Sequence, residues 1–449
     1  MRAGRRGLTL RGMNAPVALR PLGPRALPLV GSLLDYARDP LSFIETCARG
    51  YGDVTFVDFP GTPTYVLHHP EHIEHVLVAR HRHYVKDKLQ RRLLGGRLLG
   101  NGLLTNEGES WLRQRRLMQP AFHRQRLAAY GQVMGAHARR QLALWHDGET
   151  RDVYEDMMRL TLGIVIKSLF GLEMEGEAET VGPSLARVME HFAKVQALLV
   201  PEWLPTPENR GYLAALEQLD TLVTRIIRRR REAGGDAEDL LSLLLHVQDE
   251  NGQRMDDTQI RDEVLTLALA GHETTAINLS FCCHLLARHP EAQASLHQEL
   301  DTVLAGRAPA LEDLPALRFT EHVVKEALRL YPPAWSISRE ALGDEDVGGW
   351  HIPAGATVVM NPWTVHRDAR FFDEPGAFRP QRWAEGLEQQ LPRFAWFPFG
   401  GGPRQCIGLG FAMMEARLVL ATLAQRFGFE RVPEDDVRLL PSITLRPRH

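Results

Sequence analysis

The sequence predicts a mainly α fold with a smaller β region, and three observations carry that expectation. Apolar residues recur at helical spacing from Thr258 to His289, with Ile260, Val264, Leu267, Gly271 and Thr274 on one face; a second helix-like run, rich in Leu, Ala, Met and Arg, extends from Ile407 to Phe427. Residues 125–250 read as successive helices with few strand signals. The β-prone runs are short: Val54–Phe59 and Thr64–Leu67 flank Pro60-Gly61-Thr62-Pro63 as a hairpin, and segments around 345–360 add to the same β-rich region.

The chain has 449 residues, 44% of them hydrophobic, enough for a large buried core. A net charge of −3 and the lack of a basic stripe interleaved with aromatics leave no footprint for nucleic acid. Cys47, Cys282, Cys283 and Cys406 form no C-x-x-C pair, which argues against a disulfide framework or zinc knuckle and for a cytoplasmic location. Arg2, Arg5, Arg6, Arg11 and Arg20 have no apolar core between them, so residues 1–20 are expected to form a mobile basic tail rather than a signal peptide. Nowhere does an apolar run approach the ~20 residues that a spanning helix needs, so no membrane anchor is expected. Residues 21–449 are then a single domain.

Taken in order, Pro21, Pro24 and Pro28 form a rigid lead-in to a helix from Pro40 to Arg49. Six histidines follow the hairpin: His68, His69, His72, His75, His81 and His83. His72 and His75 share a helix face, but no acidic or cysteine ligand converges on them, so a solvated face is the better reading than a metal site. Trp111 and Arg115 lie one turn apart, and an indole N–H and a guanidinium on one face can hold a carboxylate. The stretch Ala186–Trp203 is apolar and ends in Pro201 and Pro205, and Gly234–Asp239 reads as a surface loop.

The central helix, with Asp256 and Asp257 as plausible caps, carries Ala270-Gly271-His272-Glu273-Thr274-Thr275. Glycine and polar groups in mid-helix are costly unless they serve something. Thr274 can hydrogen-bond into its own helix, and Glu273 offers a carboxylate for proton relay. His272-Glu273-x-x-Ala276 lacks the second histidine of a zinc-protease helix, and Ala276 cannot ligate metal. A buried polar kink without catalysis is the remaining alternative.

Residues Phe397–Gly410 (F-P-F-G-G-G-P-R-Q-C-I-G-L-G) place Cys406 at the end of a glycine-rich loop before a helix, a position that favours its thiolate. Arg404 supplies a charge suited to a carboxylate. The run Phe399-Gly400-x-Gly402-x-Arg404-x-Cys406-x-Gly408 resembles the haem-binding signature of the cytochrome P450 monooxygenases at every defining position. That resemblance implies heme b, with Cys406 as the axial thiolate on iron. It also implies that Trp111, Arg115 and Arg404 hold propionates, with Lys86 and Arg339 as further candidates by approximate position. Ala270 and Gly271 would leave room beside iron for dioxygen, and Glu273 and Thr274 match the family's acid–alcohol pair.

Glu326-Ala-Leu-Arg329 resembles the family's E-x-x-R element, and Arg382 in Phe378-Arg379-Pro380-Gln381-Arg382-Trp383 completes a Glu–Arg–Arg network locking the cysteine loop. Usual forms have Glu and Phe where this chain has Gln381 and Trp383. Leu267, Ala270, Ala334, Trp335, Ile337 and Ile443 are expected to line a hydrophobic substrate pocket, and Ala186–Trp203 to lie over it as a lid. One further short strand would be expected after His449.

The resemblance implies a haem-thiolate monooxygenase, a monomer, that inserts one oxygen atom from O2 into a hydrophobic small molecule: a terpenoid, fatty acid or polyketide. The wording Leu328–Trp335 is similar to that of bacterial enzymes acting on terpenoids. No nucleotide fingerprint or iron–sulfur cysteine set occurs, so electrons are expected from a separate ferredoxin or flavodoxin with its reductase. Arg113, Arg116, Arg124 and Arg126 are expected to form the docking face. A haem protein that binds or senses a hydrophobic ligand without turnover is the competing reading, against which Glu273 and Thr274 speak.

Overall fold

The computed structural model describes residues 20–172, 181–192, 194, 200–233, 239–433 and 437–448. All of the expected basic tail but Arg20, and most of the Gly234–Asp239 loop, lie outside the described residues, as do residues 193 and 195–199 of the lid; Arg20 sits over the Phe56 ring. The helical part comprises α1 (Pro40–Gly50), α2 (Gly108–Met118), α3 (Arg124–Leu142), α4 (Val153–Phe170), α5 (Val181–Phe192), α6 (Pro207–Ala233), α7 (Leu240–His246), α8 (Asp257–Arg288), α9 (Pro290–Leu304), α10 (Arg318–Leu330) and α11 (Leu409–Ala424). Short helical turns link several of them. Among the described residues, no helix is long and apolar enough to cross a membrane.

Helix α8 is the axis of the molecule. It spans 32 residues, about 48 Å at 1.5 Å per residue. Asp256 caps it by accepting a hydrogen bond from the Gln259 N–H at 2.7 Å. Because α4, α6, α10 and α11 all pack on it, it is buried nearly all round. A helix so enclosed needs apolar residues on every face, which explains why its periodicity is weak outside the segment around Ala270.

The β region is a five-stranded sheet in the order β1 (Val54–Phe59), β2 (Thr62–Leu67), β7 (Thr357–Met360), β4 (Ile337–Ala341), β3 (Tyr84–Val85). The hairpin turn is tighter than expected: β2 begins at Thr62, leaving Pro60 and Gly61, with Gly61 at φ +73°. β2 pairs in parallel with β7, Val66 opposite Val359, and β7 is antiparallel to β4. Two hairpins complete the β structure, β5 (Glu345–Val347) with β6 (Trp350–Ile352) and β8 (Arg438–Pro441) with β9 (Leu445–Arg448). The turn Pro441–Thr444 thus joins β8 to β9.

A buried ionic network ties α10 to the cysteine loop. Glu326 and Arg329 are fully buried and meet twice, at 2.9 and 2.8 Å. Arg382 Nε donates to Glu326 Oε1 at 2.9 Å, and the Trp383 indole N–H donates to Oε2 at 2.9 Å. The indole that replaces the usual phenyl ring thus gives the carboxylate one more donor. Arg329 also donates to the carbonyls of His366, Pro375 and Ala377. His366, buried and pushed to its neutral form by burial and by Arg329, accepts the Phe397 N–H at Nε2 at 2.9 Å. Phe397 begins the cysteine loop, so the chain of bonds from Glu326 ends there.

Two substitutions grade this network. Trp383→Phe, which removes one donor to a buried carboxylate, is expected to cost ~1.5–3 kcal/mol. Glu326→Gln leaves two guanidinium groups uncompensated and is expected to cost ~3–5 kcal/mol. Urea midpoints with unchanged m-values measure both; a Trp383→Phe midpoint equal to wild type removes the indole from the network.

Candidate functional site

The cysteine loop is shaped by backbone bonds and by two left-handed glycines. The Cys406 N–H donates to the Phe399 carbonyl at 3.0 Å, and the Gly400 N–H to that of Phe397 at 2.9 Å. Gly400 and Gly402 have φ +67° and +66°. A Cβ at Gly402 would sit 1.9 Å from the Leu77 carbonyl oxygen, so only glycine allows this loop to pack there. Gly408 is the N-cap of α11. The Cys406 side chain is accessible although protein surrounds it. Burial raises its thiol, outweighing the Gly408 N–H and Arg115, which lower it. The expectation that the helix start alone favours the thiolate is therefore corrected: desolvation wins, and a bound metal ion is what would deprotonate this sulfur.

Around the loop stands a cluster of buried cations. Lys86 is held well below its usual range by burial and by Arg339 and Arg404, against the pull of Glu107 and Asp87. Burial and Arg404 lower Arg339 to about 10. The Arg404 guanidinium lies 4.2 Å from the centre of the Trp111 ring and pairs with Glu107. Trp111, Arg339 and Arg404 border one cavity, with Gly401 and Tyr84. Arg115 stands closer to Cys406, whose charge favours its protonated form while burial opposes it. Of the carboxylates nearby, Glu107 pairs with Arg404 and accepts the backbone N–H of Lys86 at 2.6 Å, while Asp87 accepts the Gln90 N–H and the Ser338 hydroxyl, so two anions face three cations. Buried cations short of anions fit a doubly anionic group, and beside an accessible cysteine they fit the propionates and iron of haem.

Helix α8 carries the next group of predicted residues. Ala270 is exposed in mid-helix, between buried Leu269 and half-buried Gly271. Thr274 is half-buried; its hydroxyl donates to the Ala270 carbonyl at 2.8 Å, the bond into its own helix that the sequence suggested. Gly271 has a different role from the one expected. A Cβ there would lie 3.1 Å from Val165 on α4, so its small size serves helix packing and not space beside the cofactor. Glu273 is buried, and desolvation raises it to about 7 against the opposing influence of Arg446 and Thr444.

The other predicted residues divide. Leu267 is buried on α8, Ala334 and Ile443 are half-buried, and Ile337 packs near the Gly400 loop. Trp335 does not join them. Its ring packs among Leu41, Ile44, Val57 and Trp363, and its indole N–H donates to the Ser442 carbonyl at 2.9 Å, so it belongs to the core under α1. Arg113 is half-buried and pairs with Asp249 at 2.5 Å, which leaves it poorly placed for docking, whereas Arg116 is exposed and meets Glu250 only at the surface. Arg126 has a partner of its own, and the Arg124 side chain lies outside the described residues. His75, Arg80 and His83 surround Glu345. Among the described residues no group of three or more His, Cys, Asp or Glu could hold a metal ion.

Sequence reasoning missed His366, Glu107 and Arg446. Each acts through a partner far away in the chain, and no local spacing reveals such pairs.

The Cytochrome P450 family model matches residues 21–447. Cyclooctatin synthase of Streptomyces melanosporofaciens is 38% identical over 94% of this chain and 93% of that protein. Cyclooctat-9-en-7-ol 5-monooxygenase of the same organism is 35% identical over 91% and 89%, and pentalenene oxygenase of Streptomyces avermitilis 37% over 92% of each. The crystal structure of the cytochrome P450DA heme domain superposes with a TM-score of 0.87 at 28% identity, covering 96% of both chains. Agreement of sequence, fold and cofactor-fitting geometry over almost the entire length leads to one conclusion: this chain belongs to the cytochrome P450 family, the haem-dependent monooxygenases.

Proposed function

We propose that this oxidoreductase inserts one oxygen atom from O2 into a C–H or C=C bond of a terpenoid, with electrons from a separate ferredoxin or flavodoxin and its reductase. The observation that carries the reading is the accessible Cys406 thiol in a glycine-shaped loop whose neighbours Lys86, Arg339 and Arg404 form a buried cationic cluster. Three relatives whose names denote cyclooctatin, cyclooctat-9-en-7-ol and pentalenene chemistry favour a terpenoid over a fatty acid or polyketide. The apolar character of Leu267, Ala270, Ala334, Ile337 and Ile443 suits a hydrocarbon skeleton held mainly by shape.

In this reading Cys406 is the iron ligand, and Lys86, Arg339 and Arg404 hold the propionates, with Trp111 and Arg115 beside them. Heme b bound there supplies dioxygen activation at iron, to which the Cys406 thiolate donates electron density. Ala270, with its minimal side chain, leaves space beside the cofactor. Thr274, bonded to the Ala270 carbonyl, presents its hydroxyl oxygen as a proton acceptor and donor along the helix. Glu273 supplies the proton, because burial keeps a large share of its carboxyl protonated near neutrality. The Glu326 network acts earlier, by holding the loop that carries Cys406.

The direct test is turnover of pentalenene and of a diterpene alcohol with a ferredoxin–reductase pair under isotopically labelled O2. One labelled oxygen per product is expected, and oxygenated product without label overturns the reading. Cys406→Ser is expected to abolish the red-shifted band that thiolate ligation gives the reduced carbonyl complex while leaving the circular dichroism unchanged. Thr274→Ala is expected to give about tenfold less product per electron pair, with the balance released as peroxide. As pH rises through about 7 the protonated share of Glu273 falls, by about tenfold per pH unit once well above it. Product per electron pair should therefore decline above neutrality in the wild type and stay flat at its lower level in Glu273→Gln.

A further inference from the structure

The buried acid on α8 has a cation beside it that comes from the far end of the chain. Arg446, on β9, brings Nη1 to 3.7 Å from Glu273 Oε1, with side-chain exposures of 13% and 2%. The other nitrogen of the same guanidinium, Nη2, donates to the Met189 carbonyl of α5 at 3.4 Å. Tyr154 near the start of α4 also lies against this pair: burial and then Glu273 push its hydroxyl up, while the charge of Arg446 and a hydrogen bond from it pull it down. Thr444, in the β8–β9 turn, completes the surroundings of the carboxyl.

From this geometry we infer that Arg446 is a positioning residue for the proton relay, and that through its bond to α5 it couples the setting of Glu273 to the position of the lid helix. The inference rests on the relay role proposed above for Glu273. One planar guanidinium touches both the acid and α5, so a displacement of α5 alters what Glu273 faces. Both contacts are loose. At 3.7 Å the ion pair is too long for a hydrogen bond, and 3.4 Å lies at the outer edge of the N–H···O range. Loose contacts exchange cheaply, as a switch requires, whereas the tight, fully buried Glu326–Arg329 pair does not. The charged and titratable groups that meet at Glu273 are thus Arg446 from β9 and Tyr154 from α4, with Asp152, the N-cap of α4, acting on Tyr154 in turn.

The test uses haem-loaded protein and two readouts. Infrared titration follows the Glu273 carboxyl band, identified by its loss in Glu273→Gln. In Arg446→Gln its midpoint is expected to rise by about one pH unit, because a favourable charge is removed from the anion, and Arg446→Lys should restore most of the difference. Hydrogen exchange of residues 181–192 is expected to accelerate severalfold in Arg446→Gln and to recover in Arg446→Lys. An unmoved midpoint overturns the positioning role, and unchanged exchange overturns the coupling to the lid. A fall in product per electron pair in Thr274→Ala and Glu273→Gln alongside a silent Arg446→Gln refutes this inference and spares the relay; full coupling in all three refutes the relay itself.

Discussion

One carboxylate, Glu326, sets the terms for the rest of the molecule. It sits at zero exposure against Arg329 and Arg382, and removing it would strand two guanidinium groups in the interior. Because Arg329 also holds the His366 carbonyl, and the His366 ring holds the Phe397 N–H, the position of the cysteine loop descends from that charge balance through four residues. The loop's own glycines permit its path but do not choose it. A flexible loop would leave Cys406 mobile, and a metal ligand must be held to a fraction of an ångström.

Helix α8 solves a different problem with opposite chemistry. It must be apolar enough to serve as the central beam and polar enough, for one turn, to carry Glu273 and Thr274. The hydroxyls of the polar turn are satisfied locally, while Glu273 Oε1 has no hydrogen-bond partner. The Thr274 and Thr275 hydroxyls return to carbonyls one turn back, and Thr161 of α4 caps the His272 carbonyl from outside. Those bonds satisfy the hydroxyls at the cost of competing with the helix ladder for its carbonyls, which favours a local bend.

Much of this was legible in the sequence, for identifiable reasons. The helix beginning after Asp256, the hairpin at Pro60-Gly61 and the pairing of Glu326 with Arg329 follow from caps, turns and short spacings, which are local, whereas the approach of Arg382, 56 residues further on, came from the family resemblance alone. The errors arose where a residue's neighbour, and not its face, decides its role. Gly271 lies on the expected helix, but Val165 claims its open side. Trp335 follows the expected helix, but the Ser442 carbonyl and the cluster around Leu41 take it inward. Arg113 looked free because Asp249 stands far along the chain. The thiol of Cys406 was misjudged for a related reason: a helix start is visible in a sequence, and the depth of protein around it is not.

The parallel ladder between β2 and β7 has a consequence for how the chain is made. Val66 and Val359 are adjacent in space, yet closing a loop of about 300 residues costs about 5 kcal/mol of chain entropy before that ladder returns anything. On a ribosome the β1–β2 hairpin therefore waits with an unpaired edge until β7, far along the chain, has emerged. Cys406 follows β7 in the chain, so competence to accept the prosthetic group comes only after the strand that closes the sheet has been made.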